Sequence, residues 1–370
     1  MQTLEPKVAL GLYADLSAAY INACLIKTDG LDILAEPISL TRPYSPELRE
    51  KLLHLKYPDD VANAAFMTDL NNALVAEHGA VAEELLAQVS RHIPKVDIVG
   101  YSGHLVHLGI SDRQAVLWGS GTDLAERLKI PVVNRFVQTD LQAGGVGHPI
   151  LSTFWEAITR KQQKPLAVLS LGGITSLTYI GELGEQYAFD VGVGCLLVDK
   201  WLRRHADIEM DYDGSWAEKG KVDERLLAYL LKTPYLSQKP PKALDRNDFN
   251  HLLEQVEGCS PADGATTLTA FVVESILKAR AFLPQPPKEW ILTGGGALNP
   301  AIVLRLKRTL GGKVSTISEL NMPHYNLNAA GYAFLAVRSL MSLPITFPTT
   351  TGVPEPISGG LYHGVEKEND

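Results

Sequence analysis

Cysteine is scarce in this sequence: Cys24, Cys195 and Cys259 are the only three in 370 residues. The count is odd, and the spacing fits neither a disulfide framework nor a zinc site. Long apolar runs are missing as well. No stretch of about 18 apolar residues occurs, which argues against a membrane span. The first residues, MQTLEPKVALGLYADLS, include an acidic residue and no long apolar core, so they do not read as a secretory signal. Clusters of Lys and Arg are absent from the linear sequence, and the formal net charge is -8. Nucleic acid and anionic membrane surfaces are therefore poor partners. A polyphosphate ligand would need counter-charge from Lys, Arg or Mg²⁺. Low-complexity tracts are also lacking. What remains is the expectation of a soluble, cytoplasmic, globular protein.

What is present suits two cores. The chain is 45% hydrophobic and 21% charged, and its length allows two ordinary domains. Short β-branched runs alternate with longer helical patterns. Residues 8–13 and 19–26 read as two strands flanking a turn. Strands are also expected at 96–103, 131–136, 166–173, 176–181 and 289–296, several of them running into glycines. Apolar residues at helical spacing mark 62–92, 120–129, 196–206, 264–283 and 299–310. This alternation predicts α/β architecture. The proline-rich stretch 232–250 reads as a loop or insertion, and the last segment as irregular. No internal repeat is visible in the letters.

Four segments could carry chemistry. In GGGALNP (294–300), Gly294, Gly295 and Gly296 follow an apolar strand, and a helix follows Pro300. Glycine lets backbone lie flat against a ligand, and a helix start offers N–H groups to anions. Asn299 is the expected N-cap. A tight strand-to-helix turn would explain the same letters. In LSLGGITS (169–176), Gly172 and Gly173 end a second buried strand, and FDVGVGCLLVDKW (189–201) follows with Asp190, Gly192, Gly194 and Asp199. A carboxylate at a strand end can orient a nucleophile or hold a metal through water, or simply cap a turn.

The third segment, NRFVQTDLQAGGVGHPI (134–150), sets Asp140 before a glycine-containing stretch, which suits a general base. Arg135 could meet an oxyanion or phosphate, and His148 is a weaker candidate. The fourth, GYSGHLVHL (100–108), holds Ser102, His104 and His107. It fails the G-x-S-x-G spacing and the spacing of a helical zinc pair. It reads as loop material forming a substrate wall.

These segments, in this order, resemble the anhydro-N-acetylmuramic acid kinases of the sugar-kinase/Hsp70/actin superfamily. DLQAGGVGHPI (140–150) resembles "D-x-A-A-G-G-Q-G-A-P-L", LGGITS (171–176) resembles "I-G-G-F/I-x-N", and FDVGVGCLLVD (189–199) resembles "F-D-x-G-P-G-N-x-L-x-D". MDYDGSWAEKGKV (210–222) keeps the Asp213 and Gly214 positions of "x-D-x-G-x-x-A-x-x-G-x-V". PKALDRNDFN (241–250) is similar to "P-K-S-T-G-R-E-x-F-N", and LTGGGALNP (292–300) to "x-G-G-G-A-x-N". The resemblance runs nearly the whole chain.

It implies a two-lobed actin-like ATPase (ribonuclease H-like) fold with a central nucleotide and substrate cleft. The first lobe would be 1–160 with the tail 345–370 packing near it, and the second 161–344 with the adenosine loop. The implied activity opens a 1,6-anhydro sugar with water and phosphorylates O6 from ATP and Mg²⁺, with Asp140 as the base. Gly11, Ser17, Gly172, Gly173, Gly192, Gly194, Gly294, Gly295, Gly296 and Asn299 would meet the nucleotide. Ser102, His104, Arg135 and Asp190 would meet the sugar, and the protein itself is not expected to supply metal ligands. A homodimer is implied as well.

The family's first phosphate loop, "G-L-M-S-G-T-S-x-D-G", corresponds to GLYADLSAAY (11–20). Asp15, Leu16, Ala19 and Tyr20 replace its Gly, Thr, Asp and final Gly. Ser102 and His104 stand at the His and Gln of "G-S-H-G-Q-T", Cys195 at the Asn of "G-P-G-N", and Ala330 at a Glu of the last helix. Two expectations follow: a divergent ATP-dependent sugar kinase, or a catalytically silent relative that binds a ligand or protein.

Overall fold

The computed structural model describes residues 5–14, 17–55, 58–60, 63–91, 93, 95–211, 213–320 and 326–365. The chain divides into two compact units. The first comprises Met1–Arg160, Tyr325–Pro348 and Gly352–Asp370; the second comprises Lys161–His324 and Thr349–Thr351.

The first unit contains strands β1 (Lys7–Ala14), β2 (Tyr20–Thr28), β3 (Ile38–Pro43) and β4 (Ile98–Tyr101). A hairpin follows, β5 (His104–Gly109) and β6 (Gln114–Trp118), and then β7 (Val132–Asn134). With β13 (Leu361–His363) the sheet has the order β13-β7-β4-β1-β2-β3, and β5-β6 pair separately. The helices are α1 (Pro46–Leu53), α2 (Ala64–Val89), α3 (Gly121–Leu128), α4 (Phe136–Gln142), α5 (Ser152–Ile158) and α12 (Leu327–Leu340).

Helix α2 starts where the Asn63 side chain accepts the Phe66 N–H. It buries Leu70, Leu74, His78, Val81 and Leu85 along one helical stripe. Helix α12 is buried along most of its length and packs on β1, β2 and β4. Gly11 and Gly100 stand side by side in the β1–β4 register beneath it. A Cβ on Gly11 would lie 1.7 Å from the Ala329 carbonyl oxygen, and one on Gly100 would lie 2.0 Å from that of Tyr332. Only glycine at both positions lets the helix lie on the sheet.

The second unit has strands β8 (Leu166–Leu171), β9 (Ile174–Ile180), β10 (Gln186–Val193), β11 (Glu289–Thr293) and β12 (Lys313–Thr316), in the order β10-β9-β8-β11-β12. β8, β9 and β10 form an antiparallel meander, and β11 runs parallel to β8 and β12. Its helices are α6 (Leu196–Ala206), α7 (Ser215–Lys219), α8 (Glu224–Leu230), α9 (His251–Val256), α10 (Pro261–Ala279) and α11 (Pro300–Thr309). Helix α10 is the unit's buried spine: Ser260 caps it by accepting the Asp263 N–H, Pro261 opens it, and Ala265, Leu268, Phe271, Val272 and Ile276 are buried. The Leu, Phe, Val and Ile side chains among these each contribute roughly 1.5–3 kcal/mol when fully buried.

The expected α/β architecture is borne out, with several corrections of detail. Residues 326–344 cluster with the first unit and not the second, because α12 supplies the cover for β1, β2 and β4. The stretch 104–108 is strand β5 and not loop. The expected strand 131–136 stops at Asn134, because Arg135 takes a left-handed conformation (φ 56°) and starts α4. The last segment is irregular only until β13, which pairs antiparallel with β7. Among the described residues, no helix is long and apolar enough to cross a membrane.

Candidate active site

In the first unit, Asp140 is completely buried in the last turn of α4. A negative charge there opposes the helix dipole, and a buried carboxylate must be hydrogen-bonded to be tolerated. The loop after α4 meets that requirement. The Gly147 N–H donates to Asp140 Oδ1 at 2.8 Å, and the Gly145 N–H donates to the Asp140 backbone oxygen at 2.9 Å. A Cβ on Gly145 would stand 2.1 Å from Asp140 Oδ1, so the loop can wrap the carboxylate only with glycine there. Gly144 and Gly147 both have positive φ, and the His148–Pro149 bond is cis.

Arg135, Gln138, Thr139 and Gln142 share one face of α4 at helical spacing and line a cavity of about 700 Å³ together with Trp118 and His363. Asp140 turns to the other face. Ser102 is committed to backbone: it accepts the Ala14 N–H at 3.1 Å and donates to the Gly103 carbonyl at 2.7 Å, tying β4 to the end of β1. His104 is buried, opposite Trp118 in the β5–β6 register. Gly11 is covered by α12, so the close approach that its missing Cβ permits is to a helix.

Ser17 is partly buried in the turn after β1, and Tyr20 is 38% exposed at the start of β2. The substitutions at Asp15 and Leu16 lie outside the described residues. Sequence reasoning missed an aromatic cluster. Tyr13 stacks on Tyr332 at 5.9 Å, and Phe136, four residues before Asp140 on α4, meets Tyr332 edge-on at 5.8 Å. The pairing of β1 with α12 creates it, and no local spacing announces it.

In the second unit, three segments remote in sequence converge. Gly172 and Gly173 form the β8–β9 turn, Gly194 and Cys195 join β10 to α6, and Gly294–Gly296 join β11 to α11. The Cys195 N–H donates to the Gly172 carbonyl at 2.9 Å, and the Gly194 N–H donates to that of Gly173 at 2.8 Å. A Cβ on Gly194 would lie 2.2 Å from the Gly172 oxygen, one on Gly294 2.8 Å from the Leu171 oxygen, and one on Gly296 3.0 Å from Cys195 Sγ. Gly295 differs: it is exposed, with nothing within 4 Å of where a Cβ would stand. The turns thus lock together and leave a patch of bare backbone.

Asn299 is fully engaged. Its Oδ1 accepts the Ala301 N–H at 3.0 Å, and its Nδ2 donates to the Asp211 carbonyl at 3.1 Å. Asp211, which sequence reasoning did not single out, accepts the Trp216 and Ala217 N–H groups at the start of α7, each at 3.0 Å. Burial, with Asp199 and Asp211 adding to it, pushes the Cys195 thiol up, so it stays neutral at pH 7. Gly192 sits at the bulge of β10 against Leu236 and Ser275, which makes it a packing residue.

Asp190 is completely buried on β10. Its Oδ2 accepts the Leu244 N–H at 3.0 Å, its backbone oxygen accepts the Tyr235 hydroxyl at 2.8 Å, and its N–H donates to the Lys242 carbonyl at 3.0 Å. It therefore pins the 235–244 segment against the strand that leads into the glycine turns. Lys242 lies over the rings of Phe189, Tyr235 and Phe282, and burial lowers its ammonium to about 8. Among the described residues, no group of three or more His, Cys, Asp or Glu is placed to hold a metal ion.

A sequence model of the anhydro-N-acetylmuramic acid kinase family matches residues 7–363. The anhydro-N-acetylmuramic acid kinase of Rhodospirillum rubrum is 40% identical over 356 residues, covering 96% of this chain and 93% of its own. That of Paramagnetospirillum magneticum is 35% identical over 357 residues, covering 96% and 99%. A solved structure, component A of Acidaminococcus fermentans (R)-2-hydroxyglutaryl-CoA dehydratase, covers 90% of this chain and 99% of its own at 12% identity and a TM-score of 0.46.

Proposed function

The chain belongs to the anhydro-N-acetylmuramic acid kinase family, and from that premise we propose that it is an ATP-dependent kinase of a 1,6-anhydro amino sugar. The reaction opens the anhydro bridge with water and leaves a phosphoryl group on O6. The nucleotide surface proposed is the turn cluster Gly172, Gly173, Gly294, Gly295 and Gly296. The open space at Gly295 fits it, since any side chain there would cover the backbone. Mg²⁺ would arrive with the nucleotide and neutralise phosphate charge. Gly11 drops out of this set.

The observation that carries the reading is a fully buried carboxylate that accepts the Gly147 backbone N–H. Asp140, wrapped by its glycine loop, is the proposed base: it accepts the proton of the attacking water. A specific observation favours Asp190 as a second candidate. It stands on the strand whose end enters the glycine turns, in the same unit as the proposed nucleotide surface.

The test is to incubate the protein with ATP, Mg²⁺ and 1,6-anhydro-N-acetylmuramic acid and detect a sugar 6-phosphate by mass spectrometry. Asp140→Asn should lower kcat by about 10²–10⁴-fold, the usual worth of a positioned base, with ATP binding retained. If Asp190→Asn removes turnover and Asp140→Asn does not, the base is Asp190. No product from the wild-type protein, with ATP still raising its melting temperature, would favour a ligand-binding relative without turnover. Ser102, whose hydroxyl donates to one backbone group and accepts from another, is the observation on that side.

A further inference from the structure

The linear sequence shows no basic cluster, yet the second unit assembles one. Helix α6 brings Lys200, Arg203 and Arg204 to one surface, and the start of α9 adds Asn250 and His251; Arg246, outside the lining, is close enough to act on Lys200 and Arg203. A groove of about 710 Å³ is lined chiefly by Lys200, Arg203, Arg204, Asn250, His251 and Glu254. We propose that this groove is a binding site for a phosphate monoester, distinct from the glycine turns.

The charges there are incompletely matched. Arg204 pairs with Glu257, which also faces His205. Lys200 Nζ donates to Asn250 Oδ1 at 2.6 Å, a neutral partner. Among the described residues, the guanidinium groups of Arg203 and Arg246 have neither a hydrogen-bond acceptor nor an ion pair. Arg246 is half-buried, and a half-buried fork of five donors without an acceptor is costly unless an anion or water fills it. The carboxylates facing the group are Asp245, Glu254 and the Glu257 that pairs with Arg204. Asp245 is partly used, since its Oδ1 accepts the Asn247 N–H at 2.8 Å. The local field is positive all the same: burial and repulsion from Arg246 and Arg203 lower the Lys200 ammonium to about 8, against the pull of Asp245.

The chemistry selects the ligand class. The guanidinium fork of Arg203 matches the geometry of phosphate oxygens, and the Lys200 ammonium on the same groove adds a point charge. The amide of Asn250 and the imidazole of His251 can serve hydroxyls beside the phosphate. The groove is larger than a bare phosphate needs, so a phosphorylated small molecule suits it better than free phosphate.

Calorimetric titrations at low salt with inorganic phosphate and with glucose 6-phosphate test this. Saturable binding is expected for both, tighter for glucose 6-phosphate. Arg203→Ala and Lys200→Met should each weaken it at least tenfold, while Asp140→Asn leaves it unchanged. Arg246→Ala should do the same if it folds; Arg203, at the groove surface, decides the matter if it does not. Equal binding to wild type and Arg203→Ala would overturn the site, as would the absence of saturable binding to either probe. Displacement of glucose 6-phosphate by a short single-stranded oligonucleotide that binds more tightly would overturn the small-molecule assignment. None of these outcomes depends on whether the protein turns over the anhydro sugar.

Discussion

Gly11 and Gly100 in the first unit lie beneath a helix, whereas Gly295 in the second lies beneath nothing. All three follow or interrupt an apolar strand, and in sequence Gly11 and Gly295 both read as backbone bared for a ligand. In the first unit the freed space is taken by the Ala329 and Tyr332 carbonyls of α12. In the second it stays open, and the neighbouring glycines hold three turns together so that it can. A glycine in or just after an apolar strand therefore has two readings, and what crosses over it decides between them. Close helix-on-sheet packing and ligand binding need the same missing Cβ.

The sharpest way to break this comparison is to put a side chain where the helix lies. Gly11→Val would place Cβ 1.7 Å from the Ala329 oxygen and 2.9 Å from the Ala333 nitrogen, both backbone atoms. Neither can rotate away, so α12 must lift off β1. Backbone clashes of this kind exceed ordinary overpacking, which costs about 1–3 kcal/mol. The expected loss is about 4 kcal/mol or more, read by urea unfolding, or failure to fold at all. A loss below about 1 kcal/mol would show that α12 can shift, and Gly11 would again be available to a nucleotide.

The contrast also marks what the sequence could reveal. Strands that end in glycine, such as β8 and β11, were legible because their apolar runs stop abruptly. The long helices α2, α6, α10 and α11 were legible from their spacing and caps. Helix α4 was not: it has seven residues and begins at a left-handed Arg135, against any local signal. Helix α12 is apolar on nearly every side, so it has no stripe to read. It entered only through the family resemblance, and its place on β1, β2 and β4 came only from the structure. Asp140, Asp190 and the glycine turns were found by letters, whereas their partners Gly147, Leu244 and Asp211 depend on loops that close in space. The basic groove was not singled out because Lys200, Arg203 and Arg204 make only a short run on one helix, and Asn250 and His251 join them from a distant stretch.

The two units bury different titratable groups, so pH should separate them. In the first, His78 is fully buried beside Tyr44 and Tyr101, and Nε2 lies 3.1 Å from the Tyr44 hydroxyl. Burial lowers its pKa from 6.5 to about 4. The native imidazole stays neutral while the unfolded one protonates, so its contribution is intact above pH 6.5 and is lost as pH falls toward 4. The loss is about 3 kcal/mol at one proton and about 1.4 kcal/mol per pH unit. In the second unit Lys242, lowered from 10.5 to about 8, works at the other end. The unfolded lysine holds its proton longer, so that unit gains stability as pH rises from 8 to 10.5. Hydrogen exchange followed by mass spectrometry should show α2 losing protection at pH 5 before α10 does. Simultaneous loss in both helices would mean that His78 does not set the first unit's acid limit.

The smallest structural effect is expected where the comparison predicts no obstruction. Gly295→Ala adds a methyl group with nothing within 4 Å, and Gly295 has no positive φ to strain it. Stability should change by less than about 0.5 kcal/mol, as for an ordinary surface substitution. ATP binding should weaken even so, because the methyl group occupies the space that a nucleotide would use. A rise of about tenfold in the KM for ATP with little change in kcat corresponds to about 1.4 kcal/mol of lost binding. Unchanged stability together with unchanged KM would leave the opening at Gly295 without a ligand, and the nucleotide would have to sit elsewhere on the turns. A stability loss as large as that of Gly11→Val would be more damaging, since it would remove the distinction between the two glycines altogether.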